Sequence, residues 1–513
     1  MRRRTALAAL AIALGIGPLV APVHATTSAR EPVIPGLPAL TPGAPIPPGP
    51  HDLLVPQFTG STATRKPIQH SRIPQHPMLS RNGTNSMHND AYASDAYQVS
   101  GPLGHNLEVT SMSYGIRECA TIAFDSQGRL VGLCGGLEGF AMMVIDPDTL
   151  EAIDELTTSE RDLTSGANPF TDICGGTYFF LTGGDVAYPT TGESEIWKVK
   201  VHGDGSLEKQ RSWAIAPRIP DGDCLIATMP DWRGRIWFFT QQGTVGTLLP
   251  RSGKIQLTRL GNGERVTNSV ATDETGGMYV VSTHALYRLD ARRHGKRKGA
   301  PRITWRESYD RGSHLKPGNL SQGSGTTPTL LGKRWVAIND NADPRTRVVV
   351  YDRRRGIERR RHCAVPVLRK HAGTTDNSLV AAGRSFIIEN NYGYAGPQTT
   401  MLGRSSTPGL ARVLVKRRGC TVDWTSLETA PSSVAKGSLA NGLLYAYTKP
   451  ARHDGIDAWY FTAIDIRTGR TRWSRLTGTG THWNNHYASI YLGPDGTAYI
   501  ATLAGLVRMQ DGP

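Results

Sequence analysis

One apolar hairpin recurs along most of this 513-residue chain and predicts an all-β fold, an eight-bladed β-propeller. Three observations carry that expectation. Short apolar runs alternate with Gly, Asp, Asn and Pro turns, and no long stretch keeps a 3.6-residue period. The hairpins begin roughly 45–60 residues apart, the period of a four-stranded blade. After each comes a strand, a basic turn and often a Trp, which supplies the two further strands that a blade needs.

In chain order the hairpins are "TIAFDSQGRLVGL" from Thr121, "DICGGTYFFLT" from Asp172, "LIATMPDWRGRIWFFT" from Leu225 and "SVATDETGGMYVVS" from Ser269. They continue with "TPTLLGKRWVAIN" from Thr327, "SLVAAGRSFIIE" from Ser378, "SLANGLLYAYT" from Ser438 and "SIYLGPDGTAYIAT" from Ser489. The last unit stops early, at "GLVRMQ". A strand within 105–114, "HNLEVTSMSY", is expected to complete it and to close the ring, because closure removes exposed sheet edges. The propeller then spans residues 105–513. Seven blades is the alternative if one hairpin is miscounted.

The segments ahead of it read differently. Arg2–Arg4 followed by the apolar run Ala6 to Val20 and by Val23-His24-Ala25 predict a secretory signal peptide over 1–25. Residues 26–56 contain eight prolines within the twenty residues from Glu31 to Pro50 and read as a Pro-rich linker. Residues 57–104 are polar and irregular and are expected to pack on the propeller. No later run reaches the ~18 apolar residues of a membrane span, so a secreted, extracellular monomer is expected. The net charge of +15 suits an anionic extracellular polysaccharide or oligosaccharide. Nucleic acid is disfavoured, because the basic turns lack interleaved aromatics.

The stretch "AIDIRTGRTRW", residues 463–473, together with the repeat, resembles the quinoprotein-like superfamily of β-propellers, whose PQQ-like repeats carry this turn. The resemblance covers about residues 105–513 and implies the eight-bladed fold. In the quinone-dependent dehydrogenases it would also imply a calcium ion under the quinone, a catalytic Asp and a disulfide between adjacent cysteines. This chain has no adjacent cysteines, so PQQ is disfavoured and the turn reads as packing, with Trp473 wedged between blades. Six cysteines in an exported chain suggest disulfides. Cys119–Cys134 would bridge the first hairpin, Cys174–Cys224 the second and third blades, and Cys363–Cys420 the fifth and sixth. Free buried thiols are the alternative.

Propeller topology places the start of every inner strand, and every loop from second to third strand, on one face. Asp223, Asn268, Asn377, Asn485 and His486 stand at strand starts there. His486 is the leading candidate for a catalytic base, since an imidazole titrates near neutrality. Tyr392, from "ENNYGYAGPQTT", and His88, from a pre-propeller segment expected to fold over this face as a lid, are the other two. Asn268, Asn377, Asn390, Asn485 and Asp223 are the candidate substrate-binding groups. Asp340, Asn341 and Asp343 in "NDNADP" are a candidate calcium loop, with oxygen donors suited to a hard cation. Base and carboxylate-neutralising groups together suggest a carbohydrate-active enzyme, a lyase of uronate-containing glycans. A quinoprotein-like oxidoreductase and a non-catalytic binding scaffold are the alternatives. The basic turns "ARRHGKRKG", "DRRRGIERRR", "VKRRG" and "PRSGK" join third to fourth strands and should crowd the opposite face.

Overall fold

The computed structural model describes residues 40–161 and 172–513. The expected signal peptide and the first part of the Pro-rich stretch lie outside the described residues.

The hairpins form for a local reason that repeats. In the first, Asp125 accepts hydrogen bonds from the backbone N–H groups of Gln127 and Arg129, both at 2.9 Å, and Gly128 turns the chain at φ +84°. Asp231 with Gly234, and Asp273 with Gly276, repeat the device. The carboxylate stands in for a backbone acceptor, and glycine takes the left-handed position without a Cβ clash.

Eight sheets result, arranged as the blades of a propeller. They span residues 117–160, 180–214, 225–259, 271–308, 329–366, 380–426 and 436–479, and the eighth begins at 490. The strand Glu108–Ser113 pairs with Gly505–Gln510 and supplies the outer strand of blade eight, the closure expected from the sequence. Blade two is the irregular one: bridges at Phe180 and Leu181 stand in for its inner strand. Trp473 is fully buried in an apolar cluster that joins blades seven and eight, with Phe461 at 5.7 Å and Ile490 and Val507 nearby. From blade six, Trp424 Nε1 donates to the Ile466 carbonyl in the "AIDIRTGRTRW" turn at 2.9 Å. That turn is a lock between blades.

Cys119–Cys134, Cys174–Cys224 and Cys363–Cys420 are all disulfide-bonded. The first lies across the opening hairpin; the other two tie blade two to three and five to six. No helix among the described residues is long and apolar enough to cross a membrane.

The segment ahead of the ring does not form a lid, which corrects that expectation. Residues 79–97 enter the central channel as a plug. The backbone N–H groups of Thr272, Leu330, Ala381 and Gly437, on the inner strands of blades four to seven, donate in turn to the carbonyls of Ala91, Tyr92, Ser94 and Asp95 at 2.8–2.9 Å. Inner strands have no neighbour on the channel side, so their free N–H groups need this partner. Ala91, Ala93, Ser94 and Ala96 are small enough for the channel, and positive φ at Asn89, Ala93 and Asp95 coils the segment tightly. The contacts fall where inner strands run into their first turns. The plug therefore fills the half of the channel away from the strand starts, and His88 faces the other half as a floor. Residues 40–56 run along the outside of blades seven and eight, where Ile46 and Val55 are buried. The basic third-to-fourth turns lie on the face beyond the plug, exposed except for Arg353 and Arg360.

Candidate active site at the channel mouth

Above the plug the inner strands open into a cavity of about 140 Å³, lined by apolar surface and by many polar side chains, Arg161 and Asp172 among them. Met87 and His88 form the floor. Asp95 holds the His88 ring, with its two oxygens 3.0 and 3.1 Å from Nδ1, and Thr327 Oγ1 lies 3.1 Å from Nε2.

One wall carries His486, whose Nδ1 is 2.9 Å from the Tyr394 hydroxyl. Its backbone N–H donates to Glu118 Oε1 at 2.8 Å. Burial pushes the Glu118 carboxyl well above the usual range and so favours its neutral form, and that single N–H opposes the shift only in part. On another wall Asn268 Oδ1 accepts from the Tyr178 hydroxyl at 2.9 Å. Its Nδ2 is buried with no partner among the described residues. A buried amide donor left unpaired costs free energy, and a cavity wall is where a ligand acceptor can satisfy it. Asp376 also lines the cavity. Burial raises its carboxyl to about 6, against the Leu320 N–H and the Asn319 amide. Asn377 stands beside it and turns its Nδ2 back to Glu389, whose carboxyl burial raises to about 8.

Of the residues predicted from sequence, four meet here: His486, His88, Asn268 and Asn377. The others lie elsewhere. Tyr392 is in the same loop as Tyr394 but outside the cavity; its N–H donates to Asn390 Oδ1 at 3.1 Å. Asn390 and Asp223 cap backbone: Asn390 also accepts from Thr374 N–H, and Asp223 accepts from the N–H groups of Cys224 and Gln242 at 2.9 and 2.8 Å. Asn485 donates to the Ala501 carbonyl at 2.7 Å. The "NDNADP" donors do not fit a calcium ion. Arg347 Nε takes Asp340 Oδ2 at 2.7 Å, and Lys316 Nζ stands 3.3 Å from Asp343 Oδ1. Asn341 turns its amide to the Arg311 carbonyl at 2.9 Å. Cationic side chains occupy the place a hard cation would take, and no group of three or more His, Cys, Asp or Glu among the described residues could hold a metal.

Sequence reasoning missed Glu118, Tyr178 and Tyr487, and it chose Tyr392 over Tyr394 from the same loop. Glu118 was within reach of the rule that found Asn268 and His486. The first inner strand begins at Arg117, not Thr121, so Glu118 is its strand-start residue.

The raised carboxyls predict a pH-dependent stability. Asp376 and Glu389 have folded values of about 6 and about 8, against ordinary values of 3.8 and 4.5. The folded state holds these protons more tightly than the unfolded chain. Their contribution is complete below about pH 4 and is lost as pH rises through about 6 and then about 8. Urea midpoints should fall from about pH 5 to about pH 9, and Glu389→Gln should flatten the upper part of that slope. A midpoint that rose over this range would contradict the assignment.

No family model matches the chain. It is 26% identical over 401 residues to an uncharacterised protein of Archaeoglobus fulgidus, covering 71% of this chain and 74% of that one. Similar solved structures include the WD40 domain of SCAP from fission yeast (9% identity, TM-score 0.44, 80% of this chain and 99% of that one). Dihydro-heme d1 dehydrogenase NirN is another (12%, 0.46, 76% and 74%), as is virginiamycin B lyase of Staphylococcus aureus (10%, 0.36, 66% and 95%). At these levels they bear on neither substrate nor reaction.

Proposed function

We propose that this disulfide-bonded propeller is an extracellular carbohydrate-active enzyme, a lyase of uronate-containing glycans, with its active site at the channel mouth. The observation that carries the reading is the convergence on one cavity of the His486 ring, the Glu118 carboxyl, whose neutral form burial favours, and the Asn268 amide, whose Nδ2 has no partner among the described residues. A uronate carboxylate needs donors, and it needs them more as charge builds on it. A neutral carboxylic acid and an amide N–H supply them without reorganisation.

In the elimination, His486 takes the proton from the carbon beside the carboxylate. The C–H electron pair becomes a carbon–carbon double bond, the neighbouring carbon–oxygen bond breaks, and its pair leaves on the glycosidic oxygen. That oxygen takes the proton back from the His486 imidazolium. Charge gathers meanwhile on the carboxylate oxygens, where Asn268 Nδ2 and Glu118 donate. Tyr394 orients the imidazole through Nδ1. His88 belongs to the floor, fixed by Asp95 and Thr327, and is a positioning residue.

The test is the product. Mature protein with polygalacturonate, alginate or a glycosaminoglycan should yield unsaturated uronate that absorbs in the ultraviolet. New reducing ends without absorbance would replace elimination by hydrolysis. Binding with neither product would make the protein a glycan-binding scaffold.

A further inference from the structure

The cavity is not closed on itself. Ile116, Gly136 and Leu137 line both it and a groove of about 440 Å³ beside blade one. Leu320, His486 and Tyr487 line both it and a second groove of about 270 Å³, between the loop that follows blade four and the Tyr394 loop of blade six. The three spaces therefore adjoin in succession, with the cavity in the middle. By itself the cavity is smaller than the ~300–1,000 Å³ of a site for a drug-sized ligand, and the flanking grooves bring the whole within that range. Two ion pairs match most of the charge in the grooves, Arg117 with Glu155 at 2.7 Å and Lys316 with Asp343 at 3.3 Å, and Glu138 adds an exposed carboxylate that disfavours an anionic ring. What they offer a ligand is backbone, aliphatic and tyrosine surface, which suits uncharged sugar faces and hydroxyls. The groups that favour a carboxylate are confined to the middle.

We infer that the three spaces form one cleft that takes a linear uronate-containing glycan of at least three rings, cut within the chain at the boundary marked by His486. The inference rests on the lyase reading for its chemistry and on the shared walls for its length. One uronate ring occupies the central cavity. The next ring lies toward Tyr394, so the bond joining the two passes over His486, which belongs to both spaces. The third ring lies toward blade one. An enzyme built this way releases oligosaccharides rather than single end units.

The experiment is a binding and turnover series with purified hyaluronan oligosaccharides of two to six units, in which uronates alternate with uncharged sugars. Affinity should strengthen about tenfold between the dimer and the tetramer. Two exposed groove positions outside the catalytic groups, Ala395 and Glu138, serve to fill the flanks. Ala395→Trp, on the side of the scissile bond, should weaken binding at every length, whereas Glu138→Trp, at the third ring, should abolish most of that gain and leave dimer affinity within about twofold. Affinity that stays flat with length, or is indifferent to both fillings, overturns the cleft even if elimination is seen. A length-dependent gain that Glu138→Trp abolishes, with no unsaturated product, upholds the cleft and overturns the lyase reading. No binding at any length overturns both.

Discussion

Replacing Lys436 with methionine is expected to lower the unfolding free energy by about 3–5 kcal/mol, measured as a shift in urea midpoint. The side chain is wholly buried at the innermost strand of blade seven. Its Nζ donates to Asp95 Oδ1 and, at 2.5 Å, to the Met87 carbonyl. Burial works against both charges; the ammonium beside it nevertheless keeps the Asp95 carboxyl below its usual value. Removing Lys436 leaves that carboxylate in the channel with His88 and Ser378 as its partners among the described residues, the case in which a buried pair is costly to break. Taking both charges away is a different matter, because two groups of similar size then pack without desolvated ions. Asp95→Asn combined with Lys436→Met should therefore regain most of the loss. A loss under about 1 kcal/mol for Lys436→Met alone would mean the pair is solvated and does not fasten the plug.

The ring was legible in the sequence because its blades repeat a locally encoded pattern: two apolar strands around a tight turn, an Asp–Gly turn in several, then two further strands, the last carrying a Trp in several. Closure by the 105–114 strand followed from the truncated eighth unit. The plug was not legible. "HNDAYASDAY" has neither the period of a strand nor an apolar face, and its buried state depends on inner-strand N–H groups hundreds of residues away. Half of the candidate site could be read from strand-start positions alone, as with Asn268 and His486. Others failed because polarity at such a position has two uses. Asp223 and Asn390 spend their oxygens on backbone N–H groups, a choice set by loop geometry. At "NDNADP", Arg347 and Lys316 decide the matter. The first stands three residues beyond the stretch read as a metal loop, yet spacing of oxygen donors says nothing of a cation folding back among them.

At the proposed active site, Glu118 is the residue whose variants separate the roles most sharply. Glu118→Ala is expected to lower kcat/KM on a polyuronate by about 10²–10³-fold, the cost of losing one donor to developing charge, roughly 2.7–4 kcal/mol. Glu118→Gln should stay within about tenfold of wild type, because an amide N–H can replace a carboxylic O–H at that position. The same argument fixes the sign of the pH dependence. The wild-type donor exists only while the carboxyl is protonated, so activity should fall as pH rises through its raised value, and Glu118→Gln should lose that alkaline decline. Were Glu118 instead the base that removes the proton, Gln would be as inactive as Ala and wild-type activity would rise over the same range. His486→Ala provides the comparison, with a loss of about 10²–10⁴-fold expected at every pH. A neutral Glu118 beside an essential His486 would leave elimination with a named donor and a named base, each on an inner strand or its start, above a floor held by Asp95 and Lys436.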